Sequence, residues 1–417
     1  MSKLLIRGAR QLRGGIQIHG AKNSTLPLMA ATLICGGECV LHNCPQLSDV
    51  DTAIKILRHL GCRVARSEDT VTVDPLSASN FDIPDHLMRE MRSSIIFLAA
   101  IVTRMAKAVL SFPGGCELGP RPIDLHLSSL RKMGVIIDED HGCLNCTAPE
   151  RLKGTAINLS FPSVGATENI IIAAVLAEGE TVINNAACEP EIIDLADFLN
   201  ACGARVQGAG NSTVVIEGVK KLSGCEHRVI PDRIAAATFL TAAAATGSTL
   251  TIENVIPEHI APVLPILEES GCSLDIGKDR IRIAAPERLG RIRNIRTMPY
   301  PGFPTDAQAP VMAMTCVADG TSVFVENIFE SRYKHVGELL RLGANIKVEG
   351  RVAIVEGVKQ LSGAAVEATD LRGGAAMVVA GLAAQGVTEI TGLHHLDRGY
   401  ENIEKNLALL GADIQRI

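Results

Sequence analysis

Leu342-Gly343-Ala344-Asn345-Ile346 joins the end of an amphipathic helix to the start of a strand through one glycine, and the same junction is written five more times. It stands as Leu60-Gly61-Cys62-Arg63-Val64, Met133-Gly134-Val135-Ile136, Cys202-Gly203-Ala204-Arg205-Val206, Ser270-Gly271-Cys272-Ser273-Leu274 and Leu410-Gly411-Ala412-Asp413-Ile414. Successive glycines lie 73, 69, 68, 72 and 68 residues apart, so one unit of about 70 residues is repeated six times.

Five of the units carry a second glycine 23 to 25 residues earlier, at Gly36, Gly179, Gly247, Gly320 and Gly386, where a more apolar helix ends. A strand follows it, as in Thr249-Leu250-Thr251-Ile252, and then the second helix. Each unit therefore predicts an apolar helix, a strand, an amphipathic helix and a closing hairpin. The first helices, such as 170–177 and 235–245, are apolar nearly all round and are expected to be buried, the second ones half exposed.

The 417 residues exceed what one core supports, and six units divide naturally into three and three near Val229-Ile230-Pro231. Residues 22–229 are expected to form one domain, and residues 1–21 with 230–417 the other. Pairing of the opening segment with the last three units makes the chain cross twice between domains, which predicts a hinge and a cleft.

The net charge of −6 gives no general attraction to nucleic acid or an anionic membrane, and 3% aromatic residues leave little for base stacking. Neither partner is expected. The longest apolar run, 95–102, is too short to span a bilayer, and the N-terminus shows no apolar run of signal length, so a cytoplasmic location is expected. Most of the twelve cysteines, including Cys35, Cys62, Cys202, Cys272 and Cys316, stand beside Ala, Leu and Val, the usage of a reduced protein. Cys143 and Cys146 form a lone CxxC near His141, which reads as part of a hairpin. No metal site and no cofactor are expected.

Residues 111–127 contain three glycines and three prolines around Cys116, between a short apolar strand and a helix beginning near Ile123. A glycine-flanked loop presents a thiol rather than burying it, and Arg121, just before the helix, favours the thiolate. Nucleophile and proton donor both remain open for Cys116 at this level. Two slots in the repeat gather the other polar residues, and both are helix starts. The first holds Lys22 and Asn23, Arg92, Ser163 and Thr167, Asp232 and Arg233, Asp306, then Asp370 and Arg372; the second holds Arg121, Arg332 and Arg398. Capping accounts for Asp49, Asp232 and Thr167. It does not account for Lys22, Arg92, Arg121 or Arg398, because cations oppose the helix dipole unless an anion is present. A substrate with several phosphate or carboxylate charges is therefore expected, with Asp306 a candidate general base.

Gly20-Ala21-Lys22-Asn23, Gly114-Gly115-Cys116 with Arg121-Pro122-Ile123-Asp124, Ser163-Val164-Gly165-Ala166-Thr167, Pro231-Asp232-Arg233, residues 302–306 and Asp397-Arg398-Gly399-Tyr400 carry a resemblance over the whole chain. They resemble the motifs of the UDP-N-acetylglucosamine 1-carboxyvinyltransferases, also called UDP-N-acetylglucosamine enolpyruvyl transferases, within the wider EPSP synthase family. The resemblance implies an α/β (α+β) fold of two inside-out α/β barrel domains. Each has three repeated βαβαββ units around buried helices, and the active site lies in the cleft between the domains. It implies transfer of the enolpyruvyl group of phosphoenolpyruvate to the 3-hydroxyl of UDP-N-acetylglucosamine with release of phosphate, the first committed step of peptidoglycan synthesis.

Carried over residue by residue, the resemblance makes Cys116 the acid that protonates C3 of phosphoenolpyruvate, able also to hold it as a phospholactoyl thioether. Lys22, Arg121 and Arg398 grip phosphoenolpyruvate or its phosphate. Asn23, Arg92, Arg121, Pro122, Ile123, Asp124, Leu125, Asp306 and Ile328 line the nucleotide-sugar site, and Ser163, Val164, Gly165, Arg332, Asp370 and Arg372 complete the substrate-binding set. Asp306 is the base for the sugar hydroxyl. Retention of the cysteine implies covalent inactivation by fosfomycin. Glu117, Phe161-Pro162 and Ser48 depart from the commoner family pattern. Two other readings remain: an enolpyruvyl transferase with another acceptor such as shikimate 3-phosphate, and a paralogue that binds the nucleotide sugar without turnover.

Overall fold

The computed structural model describes residues 2–112 and 123–417, the side chain of Arg92 excepted. The described residues divide into two compact units, one of residues 2–19 and 231–417, the other of residues 20–112 and 123–230. Each holds three four-stranded sheets of one design. Asn294–Arg296 runs parallel to Thr321–Val325, which pairs antiparallel with Val352–Glu356, and Asn345–Glu349 completes the hairpin at the edge. Apolar and polar residues alternate along these strands, so Thr249–Glu253 buries Leu250 and Ile252 on one face.

The order of the sheets shows how the chain closes each unit. Arg13–Gln17 leads the sheet of Thr249–Glu253, and Leu4–Arg7 lies between Val387–Thr391 and Asp413–Arg416, antiparallel to both. In the other unit the leading strand of the first sheet comes from the far end, where Glu226–Arg228 runs parallel to Cys39–His42. Within the unit of 231–417, the Asp232 amide donates to the His19 carbonyl at 2.9 Å. Within the other, the Ala21 amide donates to the Ile230 carbonyl at 2.7 Å.

All six repeat glycines close their helices the same way. Gly61, Gly134, Gly203, Gly271, Gly343 and Gly411 have φ of 96°, 102°, 101°, 93°, 88° and 93°, a region in which a Cβ is strained. The amide after each glycine bonds the carbonyl five residues back, on Leu57, Leu130, Leu199, Leu267, Leu339 and Leu407. Every one of these leucines is buried, which contributes about 1.5–3 kcal/mol apiece relative to exposure. The earlier glycines are less uniform. Gly36 has no positive φ and is small for another reason: a Cβ there would meet the Leu222 carbonyl oxygen at 2.5 Å. The unit lacking an earlier glycine uses Ala106, which adopts φ 56° after Phe97–Met105.

The first helices are buried almost throughout because small and apolar residues occupy every face. Arg233–Ala245 buries each residue from Ile234 to Ala244. It packs with Thr305–Thr315 and Leu371–Ala383 in one unit; Phe97–Met105 packs with Lys22–Thr32 and Val164–Ala174 in the other. Pro27 and Pro310 lie inside two of these helices. Lacking an N–H, neither proline can donate the helical bond to the carbonyl four residues back, on Asn23 or Asp306. Among the described residues no helix is long and apolar enough to cross a membrane.

Candidate active site

In the unit of 231–417, three elements bring four charged residues together. Asp306 is in the first turn of Thr305–Thr315, Arg332 opens the 3-10 helix Arg332–His335, and Asp370 and Arg372 begin Leu371–Ala383. Arg332 Nη2 donates to Asp306 Oδ1 at 3.2 Å and to the Thr305 carbonyl at 3.0 Å, while Arg372 Nη2 donates to Asp306 Oδ2 at 2.9 Å. Asp370 caps its helix by accepting from the amides of Arg372 and Gly373, and its carboxylate lies 3.9 Å from Arg332 Nη1. Arg332 and Arg372 are buried, and a buried cation persists only when carboxylates answer it. Burial works against the Arg372 charge, but the Asp306 carboxylate first and Asp232 behind it outweigh it and hold the guanidinium above the usual arginine range.

The network continues inward. Arg372 Nη1 donates to Tyr400 Oη at 3.2 Å, which leaves the phenol to donate to Thr238 Oγ1 at 2.9 Å and the threonine to donate to the Ile234 carbonyl. Burial pushes the Tyr400 phenol up against the pull of Arg372, so it remains a neutral donor. Burial likewise drives the His335 imidazole down, to about 4, against the pull of Asp370, so it is neutral beside Arg332. Ile328 is tied to the start of the Asp306 helix through Glu326. That buried carboxylate accepts from the amides of Ile328 and Phe329 with one oxygen and from Thr305 Oγ1 with the other. Arg398 ends the 3-10 helix Leu396–Arg398, half-buried, two residues before Tyr400.

In the unit of 20–230, Lys22 opens the helix Lys22–Thr32, and its ammonium lies 2.8 Å from Asp49 Oδ2, both residues buried. Asn23 follows, half-buried. Ser163 caps Val164–Ala174 through Oγ, which accepts from Ala166, and Val164 and Gly165 form the first turn. Gly165 is small because His126 lies against it: a Cβ would meet the ring Cε1 at 3.0 Å. His126 Nδ1 bonds Asn169 Nδ2 at 2.7 Å, joining that turn to Asp124–Lys132, where Ile123 is buried, Leu125 half-buried and Asp124 exposed. Cys116, Arg121 and Pro122 lie outside the described residues, as does the side chain of Arg92.

Two capping assignments are corrected. The N-cap position of Ser48–His59 is held by Leu47 rather than Asp49, and Asp49 pairs with Lys22. Ser163, not Thr167, caps its helix; Thr167 donates to the Ser163 carbonyl and accepts from the Ala187 amide. Of the helix-start cations for which an external anion was expected, Lys22 has a carboxylate partner within its own unit, Asp49. Sequence reasoning did not find Glu326 or Glu168. Burial, with Glu191 and Glu189 nearby, pushes the Glu168 carboxyl well above the usual range. A lone acid inside an otherwise apolar helix was the available signal.

The sequence profile of the family described as EPSP synthase (3-phosphoshikimate 1-carboxyvinyltransferase) matches residues 6–407. A UDP-N-acetylglucosamine 1-carboxyvinyltransferase 2 of Caldanaerobacter subterraneus subsp. tengcongensis is 52% identical over 417 residues, covering 100% of both chains. A UDP-N-acetylglucosamine 1-carboxyvinyltransferase 1 of Symbiobacterium thermophilum is 48% identical over 420 residues, covering 100% of this chain and 95% of that one. Among solved structures, the enolpyruvyl transferase NikO from Streptomyces tendae superposes with a TM-score of 0.90 at 26% identity, covering 100% of this chain and 98% of the other. An EPSP synthase from Acinetobacter baumannii shares the fold, with a TM-score of 0.77 at 20% identity over 100% of both chains. The chain belongs to the EPSP synthase family of enolpyruvyl transferases.

Proposed function

We propose that this chain transfers the enolpyruvyl group of phosphoenolpyruvate to the 3-hydroxyl of UDP-N-acetylglucosamine, releasing phosphate, as the first committed step of peptidoglycan synthesis in the cytoplasm. The observation that carries this reading is the full-length likeness, 52% identical over 100% of both chains, to a relative bearing that activity in its name. Asp306 takes the proton of the sugar hydroxyl, whose oxygen attacks C2 of phosphoenolpyruvate while Cys116 protonates C3. Loss of a proton from C3 then breaks the C2–O bond to phosphate and restores the vinyl ether. The poorly basic carbon needs a positioned acid, and the charge that develops needs fixed cations.

Roles are divided between the units. Residues 20–230 supply Cys116, Lys22, Arg121 and the nucleotide-sugar contacts of Asn23, Arg92, Pro122, Ile123, Asp124, Leu125, Ser163, Val164 and Gly165. Residues 231–417 supply Asp306, Arg398, Ile328 and the guanidiniums of Arg332 and Arg372, which orient Asp306, with Asp370 behind them. Support for the Asp306 role comes from its two short contacts with these arginines, which fix both carboxylate oxygens. Mass spectrometry of an incubation with both substrates tests the reading: a product heavier than the UDP-sugar by one enolpyruvyl group is expected, and recovery of both substrates unchanged would overturn it.

A further inference from the structure

Four cysteines far apart in sequence meet in the unit of 20–230. Cys35 follows the helix Lys22–Thr32, Cys39 opens the strand Cys39–His42, Cys202 ends the helix Pro190–Ala201, and Cys225 precedes the strand Glu226–Arg228. The sulfurs of Cys35, Cys39 and Cys202 all lie within 4.8 Å of one another, and all three residues are buried. Cys35 Sγ is 3.7 Å from Cys202 Sγ, and Cys225 Sγ is 3.2 Å from Cys202 Sγ on the half-buried side.

The backbone builds this arrangement before any ligand arrives. Glu226–Arg228 runs parallel to Cys39–His42, and the Val40 amide donates to the Cys225 carbonyl at 2.9 Å, which sets Cys225 beside Cys39. Gly36 and Gly37 let the Cys35-to-Cys39 turn press against residues 222–224: a Cβ on Gly224 would meet the Glu38 carbonyl oxygen at 1.9 Å. A spacing of three residues between Cys35 and Cys39 falls within that of paired zinc ligands. Tetrahedral zinc with Zn–S of about 2.3 Å sets its sulfurs about 3.8 Å apart, close to the Cys35–Cys202 separation. Ordinary buried cysteines scatter through a core singly, as Cys62, Cys146, Cys272 and Cys316 do here.

We propose that Cys35, Cys39 and Cys202 form a structural site for a thiophilic cation of the zinc type, its fourth position open to solvent or to Cys225, which lies against Cys202. Each ligating thiol gives its proton to solvent as the cation binds, so affinity rises with pH. The cation would join the first and third repeats where Glu226–Arg228 closes the ring of sheets, and would therefore stabilise the unit without touching the proposed chemistry.

The full-length protein, reduced and stripped by chelator, is titrated with Zn(II) and, as a spectroscopic probe, Co(II). About one equivalent should bind, the Co(II) form should show a sulfur-to-metal charge-transfer band, and Zn(II) should raise Tm. Cys202→Ser should weaken Zn(II) binding by more than the roughly 10–100-fold that losing an outer-shell partner costs, while Cys146→Ser leaves it unchanged. Should Cys202→Ser fail to fold, Cys35→Ser and the parent's Co(II) spectrum decide. Absence of the charge-transfer band, equal binding by the serine variants, or a Cys202–Cys225 disulfide in protein purified without reductant would overturn the proposal.

Discussion

At the start of Thr305–Thr315 an aspartate is held by two arginines, whereas at the start of Lys22–Thr32, in the corresponding helix of another repeat, a lysine is paired with one aspartate. Both helices carry a proline four residues after the polar residue of their first turn, Asn23 or Asp306. The unit of 231–417 thus fixes its carboxylate with donors drawn from two other elements, while the unit of 20–230 uses one ion pair and adds a buried acid, Glu168, faced by other acids. One frame serves two electrostatic tasks because the first turn of a buried helix is the place in the repeat where side chains change without disturbing the core.

The largest effect expected from this contrast is at Asp306. Asp306→Ala leaves two buried guanidiniums without their shared partner, which costs about 3–5 kcal/mol, and it removes the proposed base, which should lower turnover by about 10²–10⁴. Denaturant unfolding and steady-state rates should therefore fall together. Cys116→Ser should lower turnover by a similar factor with Tm unchanged, and fosfomycin with UDP-N-acetylglucosamine should modify the parent at Cys116 but not this variant, read by intact mass. Equal stability losses in the two variants would erase the distinction between the units.

A smaller effect is expected at Glu168. The unfolded chain releases this proton near 4.5 and the folded one only well above that, because of burial first and Glu191 and Glu189 second. The stability it contributes is complete below the unfolded value and lost as pH rises through the folded one. Glu168→Gln should therefore keep Tm level over a pH range in which the parent loses about 3 °C or more; an identical slope in both proteins would contradict the assignment. The smallest effect is at Ala106, whose left-handed conformation costs about 1–2 kcal/mol. Ala106→Gly should recover about 1 kcal/mol or less after the added freedom of the unfolded chain, measured by urea unfolding.

The repeat and the fold were legible because each helix must end on a residue that tolerates positive φ, and glycine marks that place six times. The six buried leucines of the same motif were written just as plainly, yet they signal only once the hydrogen bond that selects their position is known. Ala106 was hidden because the geometry survives there without glycine. At the candidate site, charge type located Lys22, Asp306, Arg332, Arg372 and Arg398, but which carboxylate answers which cation depends on contacts between repeats. Asp49 resembles a cap in sequence and becomes the partner of Lys22 only in three dimensions. The thiol cluster was illegible for the same reason: Cys35 and Cys202 meet only because the third repeat closes onto the first.

Phosphate release from phosphoenolpyruvate, measured with UDP-N-acetylglucosamine or shikimate 3-phosphate as the only acceptor, tests the central claim most directly. Release with the UDP-sugar alone, lost in Cys116→Ser and Asp306→Ala, is the predicted result. Release that requires shikimate 3-phosphate, or none with either acceptor, would contradict it.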